Sequence, residues 1–175
     1  METTTLEAPV QSPSLLRRVV IGRDPKRTMQ RVVILVVVCF FIAKFVLLPI
    51  QISGPSMLPT YGERGINFVN RLAYMFHEPR RGDVVAIRLA GPSIMFMKRI
   101  IGLPGETVAF HRGHVYIDGK LLDEPYVRFP SSWEHDGRTL GPSEYYVVGD
   151  NRSMPQVDHT EGKASRDRIV GKVLL

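Results

Sequence analysis

The chain has 175 residues, a formal charge of +6 and a single cysteine, Cys39. One cysteine excludes an intrachain disulfide and a cysteine metal centre, and the length favours a single globular domain. Residues 1–31 hold six Lys and Arg against three Asp and Glu, whereas residues 51–175 hold sixteen against fourteen, a near balance that argues against a nucleic-acid partner for the globular part.

In chain order, residues 1–31, with Pro9, Pro13, Pro25 and three successive threonines, read as a disordered, cytoplasmic basic tail. Residues 32–50, VVILVVVCFFIAKFVLLPI, carry one charge and come close to the ~20 residues that span a bilayer as helix. A core helix would show a polar stripe, and this run has none. Lys44 lies near the far end, where its stem can carry the ammonium to the interface. The basic cluster ahead of the run keeps the N-terminus in the cytoplasm, so residues 51–175 are expected outside the cell (inner) membrane on a single-pass anchor. A cleaved signal peptide is the competing reading, but the apolar run exceeds the usual ~7–15 residues and no convincing small-x-small site follows it.

Beyond the anchor, short apolar or alternating runs are broken by Gly, Pro and Asp, the pattern of antiparallel β-structure. Strands are expected at 65–70, 83–89, 93–101, 106–111, 114–117 and 145–149. Asp118-Gly119 between apolar residues signals a two-residue hairpin, and His111–His114 a weaker turn of the same kind. Leu72–Phe76 fits a short helical turn or an apolar loop, and 128–143 reads as a long loop. The fold class expected for 51–175 is mainly β, a compact antiparallel domain closed into a folded-over sheet or partial barrel, with one N-terminal transmembrane helix.

Two residues carry the chemistry. In SIMFMKRII, the two-residue period places Lys98 on one face with Ile94, Phe96 and Ile100. Desolvation there disfavours the ammonium, and a neutral amine is a base. Ser56, set in ISGPSMLPT between Pro55 and Pro59, sits in a stiffened turn with its N–H beside its hydroxyl, and a desolvated lysine within reach can activate such a serine. The plainer readings are that Gly-Pro-Ser is only a turn and that Lys98 is an edge lysine guarding against aggregation. A Ser-His-Asp arrangement using Asp158 and His159 stays open on composition. The five histidines show no metal spacing, phosphate-loop and dinucleotide fingerprints are missing, and Asn151-Arg-Ser is a formal glycosylation triplet.

Four segments in order resemble type I signal peptidases, the membrane-bound Ser-Lys proteases that remove signal peptides from exported preproteins: SGPSMLPT, RRGDVVAI, MKRIIGLPGE and VVGDNRSM. The hairpin VYIDGKLLDEPYV matches in style, and the likeness runs over 32–175. The resemblance implies Ser56 as acylating serine and Lys98 as its unprotonated base, of the bacterial or organellar type. It further implies an Arg99–Asp150 ion pair, and support from Gly54, Arg152, Ser153 and Asp158. Gly54 stands where many members place an oxyanion-hole serine. Pro155 occupies the place of the serine that orients the lysine, leaving Ser153 as the substitute; Asp158 aligns with the box's second aspartate after a one-residue insertion. Substrate is expected to add as a strand near 83–89 and 93–97, with Met57, Val84, Val85, Met95 and Phe96 lining pockets for small side chains. The partners implied are exported preproteins and the lipid bilayer, with the chain a monomer and no metal or organic cofactor required. Two other readings are a specialised peptidase maturing a pilin or conjugation protein, and a membrane-tethered domain that binds exported chains without cutting them.

Overall fold

The computed structural model describes residues 24–90 and 94–174; of the expected tail, 1–23 lie outside it, as does Ser93 of the strand expected at 93–101. The chain divides into two units, one ending at Ile42 and the other beginning at Ala43. In the first, helix α1 runs Pro25–Phe41. Asp24 caps it, its carboxylate accepting from the N–H groups of Lys26 and Arg27, and Pro25 fills the first turn, where a missing N–H costs nothing. Of the basic residues assigned to the tail, Lys26, Arg27 and Arg31 lie in the first turns of the helix; Arg17, Arg18 and Arg23 lie outside the described residues. Every residue from Val32 to Phe41 is exposed among the described residues. With the π-turn Ile42–Val46, the stretch Pro25–Val46 is long and apolar enough to cross a bilayer.

The helix was expected to continue to Ile50; instead Leu47–Ser53 is strand β1. Pro49 is the physical reason, because its ring clashes with the carbonyl four residues back and biases Leu48 to an extended conformation. An edge strand tolerates it, and β1 pairs only with β2 (Arg64–Asn70), Pro49 opposite Phe68.

The second unit is antiparallel β. A seven-stranded sheet has the order β1-β2-β11-β3-β4-β9-β10, where β3 is Val84–Ala90, β4 Ile94–Gly102, β9 Glu144–Val148, β10 Lys163–Ser165 and β11 Ile169–Val173. The strand period divides its core: Val84 and Ala86 pack with Met57, Tyr61, Val69, Met97 and Val173, while Val85 and Ile87 pack with Ile100, Tyr145, Val147 and Ile169. A four-stranded sheet, β7-β6-β5-β8, comprises β5 Thr107–His111, β6 His114–Ile117, β7 Lys120–Leu121 and β8 His135–Thr139, and its Val108, Phe110, Val115 and Ile117 close on Ile101, Tyr146 and Val148. Both expected hairpins form, with Arg112-Gly113 and Asp118-Gly119 at φ 49° and 77°, the left-handed pairs of two-residue turns. The loop expected at 128–143 contains β8, whose residues HDGRT are largely exposed and carry no apolar alternation. Leu72–Phe76 is turns and bends.

Candidate active site

Ser56 lies just past the end of β1. Gly54 makes the bend with φ 116°, a value that favours glycine, and its N–H is committed to the Glu63 carbonyl at 3.0 Å. The turn closes through Leu58 N–H to Pro55 O and Tyr61 N–H to Met57 O, while Met57 and Tyr61 sink into the core. Ser56, just before Met57, is half-buried, and its N–H donates to no described residue.

Lys98 is on the interior strand β4, opposite Val85 of β3, and is only 3% exposed. Its ammonium lies 5.9 Å from the centre of the Phe96 ring, and Ile100 on the same face is buried. Burial pulls its pKa down to about 8, and the Asp158 carboxylate pulls the other way. About a tenth of such an amine is neutral at pH 7 and half at pH 8.

The segment after β9 draws these two elements to one place. Asn151 donates from its backbone N–H to Ser56 O at 3.0 Å and from Nδ2 to Pro55 O at 3.1 Å. Asp150, fully buried, accepts from Thr60 Oγ1 at 2.6 Å and from Arg99 through Nε at 2.8 Å and Nη2 at 2.6 Å. Arg99 is the neighbour of Lys98, so one carboxylate holds both the serine turn and the lysine strand, through a two-pronged charged contact of the strong kind. Ser56 Oγ and Lys98 Nζ donate no hydrogen bond to each other or to another described residue, a looseness common in sites without substrate.

A groove of about 320 Å³ opens beside Ser56, lined by β1 from Leu48 to Ser53, by Gly54 and Met57, and by Met95, Phe96 and Met97 of β4. Two strand edges form its walls. β1 is the last strand of its sheet, and β4 meets β9 only from Arg99 onward, so 94–98 have one side unpaired by β9. Of the residues expected to line substrate pockets, Met57, Met95 and Phe96 line this groove. Val84 and Val85 do not: β3 is hydrogen-bonded to β11 on one side and β4 on the other, both side chains are core, and the strand has no edge to offer.

The supporting residues divide likewise. The Ser153 hydroxyl donates to Asn151 Oδ1 at 2.7 Å, which orients that amide toward Pro55. Arg152 is 1% exposed and binds Glu124 and the Gly149 carbonyl. Asp158, in the 3₁₀ turn Gln156–Gly162, is the acidic group felt by Lys98. The side chain of His159 lies outside the described ones. The Asn151 amide is buried and bonded, so the glycosylation triplet is unavailable in the folded chain. Thr60 and Asn151 escaped sequence reasoning as site residues; their only signal was adjacency to the serine turn and to Asp150. Among the described residues no group of three or more His, Cys, Asp or Glu is placed to hold a metal ion.

Known proteins resemble this chain in sequence over most of its length. A family model described as "Signal peptidase, peptidase S26" matches residues 26–175. Signal peptidase I of Leptolyngbya laminosa is 34% identical over 148 residues, 80% of this chain and 73% of that one. Signal peptidase I S of Bacillus subtilis is 37% identical over 132 residues, 69% of this chain and 71% of its own. The crystal structure of a signal peptidase I from Enterococcus faecalis superposes with a TM-score of 0.45 at 28% identity, over 55% of this chain and 97% of that one.

Proposed function

Because the chain belongs to the S26 signal peptidases, a family of serine peptidases, we propose that it is a membrane-anchored endopeptidase that cuts signal peptides from exported preproteins with Ser56 as nucleophile and Lys98 as general base. The observation that carries the assignment is the buried Lys98 amine, its pKa brought down to about 8, on a strand tied by Arg99 and Asp150 to the turn that bears Ser56.

An extended cleavage segment enters the groove as an added strand between the edge of β1 and residues 94–98 of β4. Lys98 Nζ takes the Ser56 proton as Oγ attacks the scissile carbonyl carbon. The Ser56 N–H, which donates to no described residue, supplies one donor to the oxyanion. The proton passes from Lys98 to the departing amine, leaving an acyl-enzyme; Lys98 then takes a proton from the water that attacks the ester carbonyl and gives it to Ser56 Oγ as the acyl–oxygen bond breaks, which releases the new carboxyl terminus and restores both groups. The helix Pro25–Phe41, with Lys26, Arg27 and Arg31 at its start, holds the N-terminus in the cytoplasm and the β-unit outside.

Cleavage of a preprotein by the full chain tests the dyad. Ser56→Ala and Lys98→Ala should each lose at least a thousandfold in kcat, the scale on which removal of a nucleophile or its base acts. Near-normal turnover by either one defeats the assignment. An acylating penem separates peptidase from mere binder, since it should modify Ser56 and leave Ser56→Ala unlabelled.

A further inference from the structure

The segment Gly149–Arg152 is gripped from a side that the reaction does not use. Between β7 and β8, Glu124 accepts from the Arg152 guanidinium and, at 2.7 Å, from the Tyr126 hydroxyl. The Tyr126 ring lies 4.0 Å from the Arg99 guanidinium carbon. Arg99 has its edges committed to Asp150 and to the Gly82 carbonyl, so a face is what it has left to offer, and an aromatic ring is suited to take it. Arg152, almost fully buried, donates from Nε to Gly149 O at 2.9 Å. Phe129, in the same loop, forms a β-bridge with Asn151. One loop thus holds both arginines that flank Asp150 and Asn151, and those two residues hold the carbonyls of Pro55 and Ser56 and the Thr60 hydroxyl. Neither Glu124 nor Tyr126 lines the groove.

We propose that Glu124 and Tyr126 are positioning residues for the nucleophile, setting Ser56 through Arg99, Arg152 and the Asp150-Asn151 pair. The inference rests on Ser56 being the acylating residue. Loss of Glu124 leaves a buried guanidinium uncompensated; Arg152 then shifts toward water and carries the Gly149 carbonyl with it. Loss of the Tyr126 ring frees Arg99 to swing, and Asp150 with it. A displacement of about 1 Å at Ser56 is enough to slow acylation ~100-fold while substrate still binds.

The test is preprotein cleavage by the full chain in lipid vesicles, with melting temperature measured alongside. Tyr126→Leu and Glu124→Gln should lower kcat roughly 10- to 100-fold with KM within about twofold, and Tyr126→Phe, which keeps the ring under Arg99, should stay within about threefold of wild type in kcat. The double variant Glu124→Leu/Arg152→Met replaces the ion pair with apolar groups, so it should recover melting temperature but not kcat. A purely structural role makes kcat follow stability, and recovery of both together in the double variant overturns the proposal. So does wild-type kcat in Tyr126→Leu and Glu124→Gln. Should Tyr126→Leu fail to fold, Glu124→Gln against the double variant decides. Ser56→Ala in the same assay keeps the two failures apart: if it cleaves, the nucleophile is wrong; if it is silent while the loop variants run normally, only the positioning role is.

Discussion

A lysine that is 3% exposed, with its pKa brought from 10.5 to about 8, destabilises the folded chain at neutral pH. At about 1.4 kcal/mol per unit the penalty is on the order of 3 kcal/mol. The folded value lies below the unfolded one, so the penalty is complete below pH 8 and disappears as the unfolded chain loses its own proton toward pH 10.5. Lys98→Met keeps the apolar stem and drops the charge. It should be inert yet about 3 kcal/mol more stable at pH 7, with the advantage gone near pH 10.5; thermal melts at the two pH values measure it, and equal stability at pH 7 would mean the amine is not desolvated. As the proposed base, the same group should set the acid limb of activity, rising through pH 8. Asp158 raises that pKa, so Asp158→Asn should move the limb to lower pH and increase activity at pH 7 relative to its own plateau. A limb that moves upward, or not at all, removes Asp158 from the field of the base.

At the scale of elements, the groove is decided by which strands keep an unpaired edge. β3 and β4 are neighbours of similar composition, yet β3 is enclosed by β11 and β4 while β4 before Arg99 is not met by β9. Met95→Trp should therefore fill the groove and lower kcat/KM more than tenfold with melting temperature unchanged. Val85→Ala should do the reverse, costing roughly 2 kcal/mol of stability with KM unmoved; a raised KM there would put substrate against β3. Sequence could place Lys98 on a strand, because Phe96 and Ile100 repeat at the two-residue period around it. It could not show that Val84 and Val85 lack an edge, since pairing with β11 joins residues more than eighty positions apart and leaves no local trace. β8 was hidden for the opposite reason, as a strand exposed along most of its length needs no apolar pattern. The Ser56–Asn151 contact was equally invisible, being made through a backbone carbonyl, which every residue has.

At the scale of the whole molecule, the proposed anchoring by the apolar helix should give the enzyme a kinetic advantage when its substrate is held in the same bilayer. For two membrane-bound partners the relevant concentration is molecules per area of lipid. Full-length chain and preprotein placed together in vesicles should then cleave at a rate fixed by the protein-to-lipid ratio, and tenfold dilution of the suspension should leave the fractional rate unchanged. A soluble peptide carrying the same cleavage segment must arrive from bulk water, so the same dilution, below its KM, should cut its turnover about tenfold. If the membrane-held preprotein slows in step with the peptide, the helix does not bring the two together, and the apolar surface of Val32–Phe41 needs another explanation. If it does not slow, lateral encounter is the route, and a modest affinity in the groove suffices, because the bilayer has already confined the cleavage site.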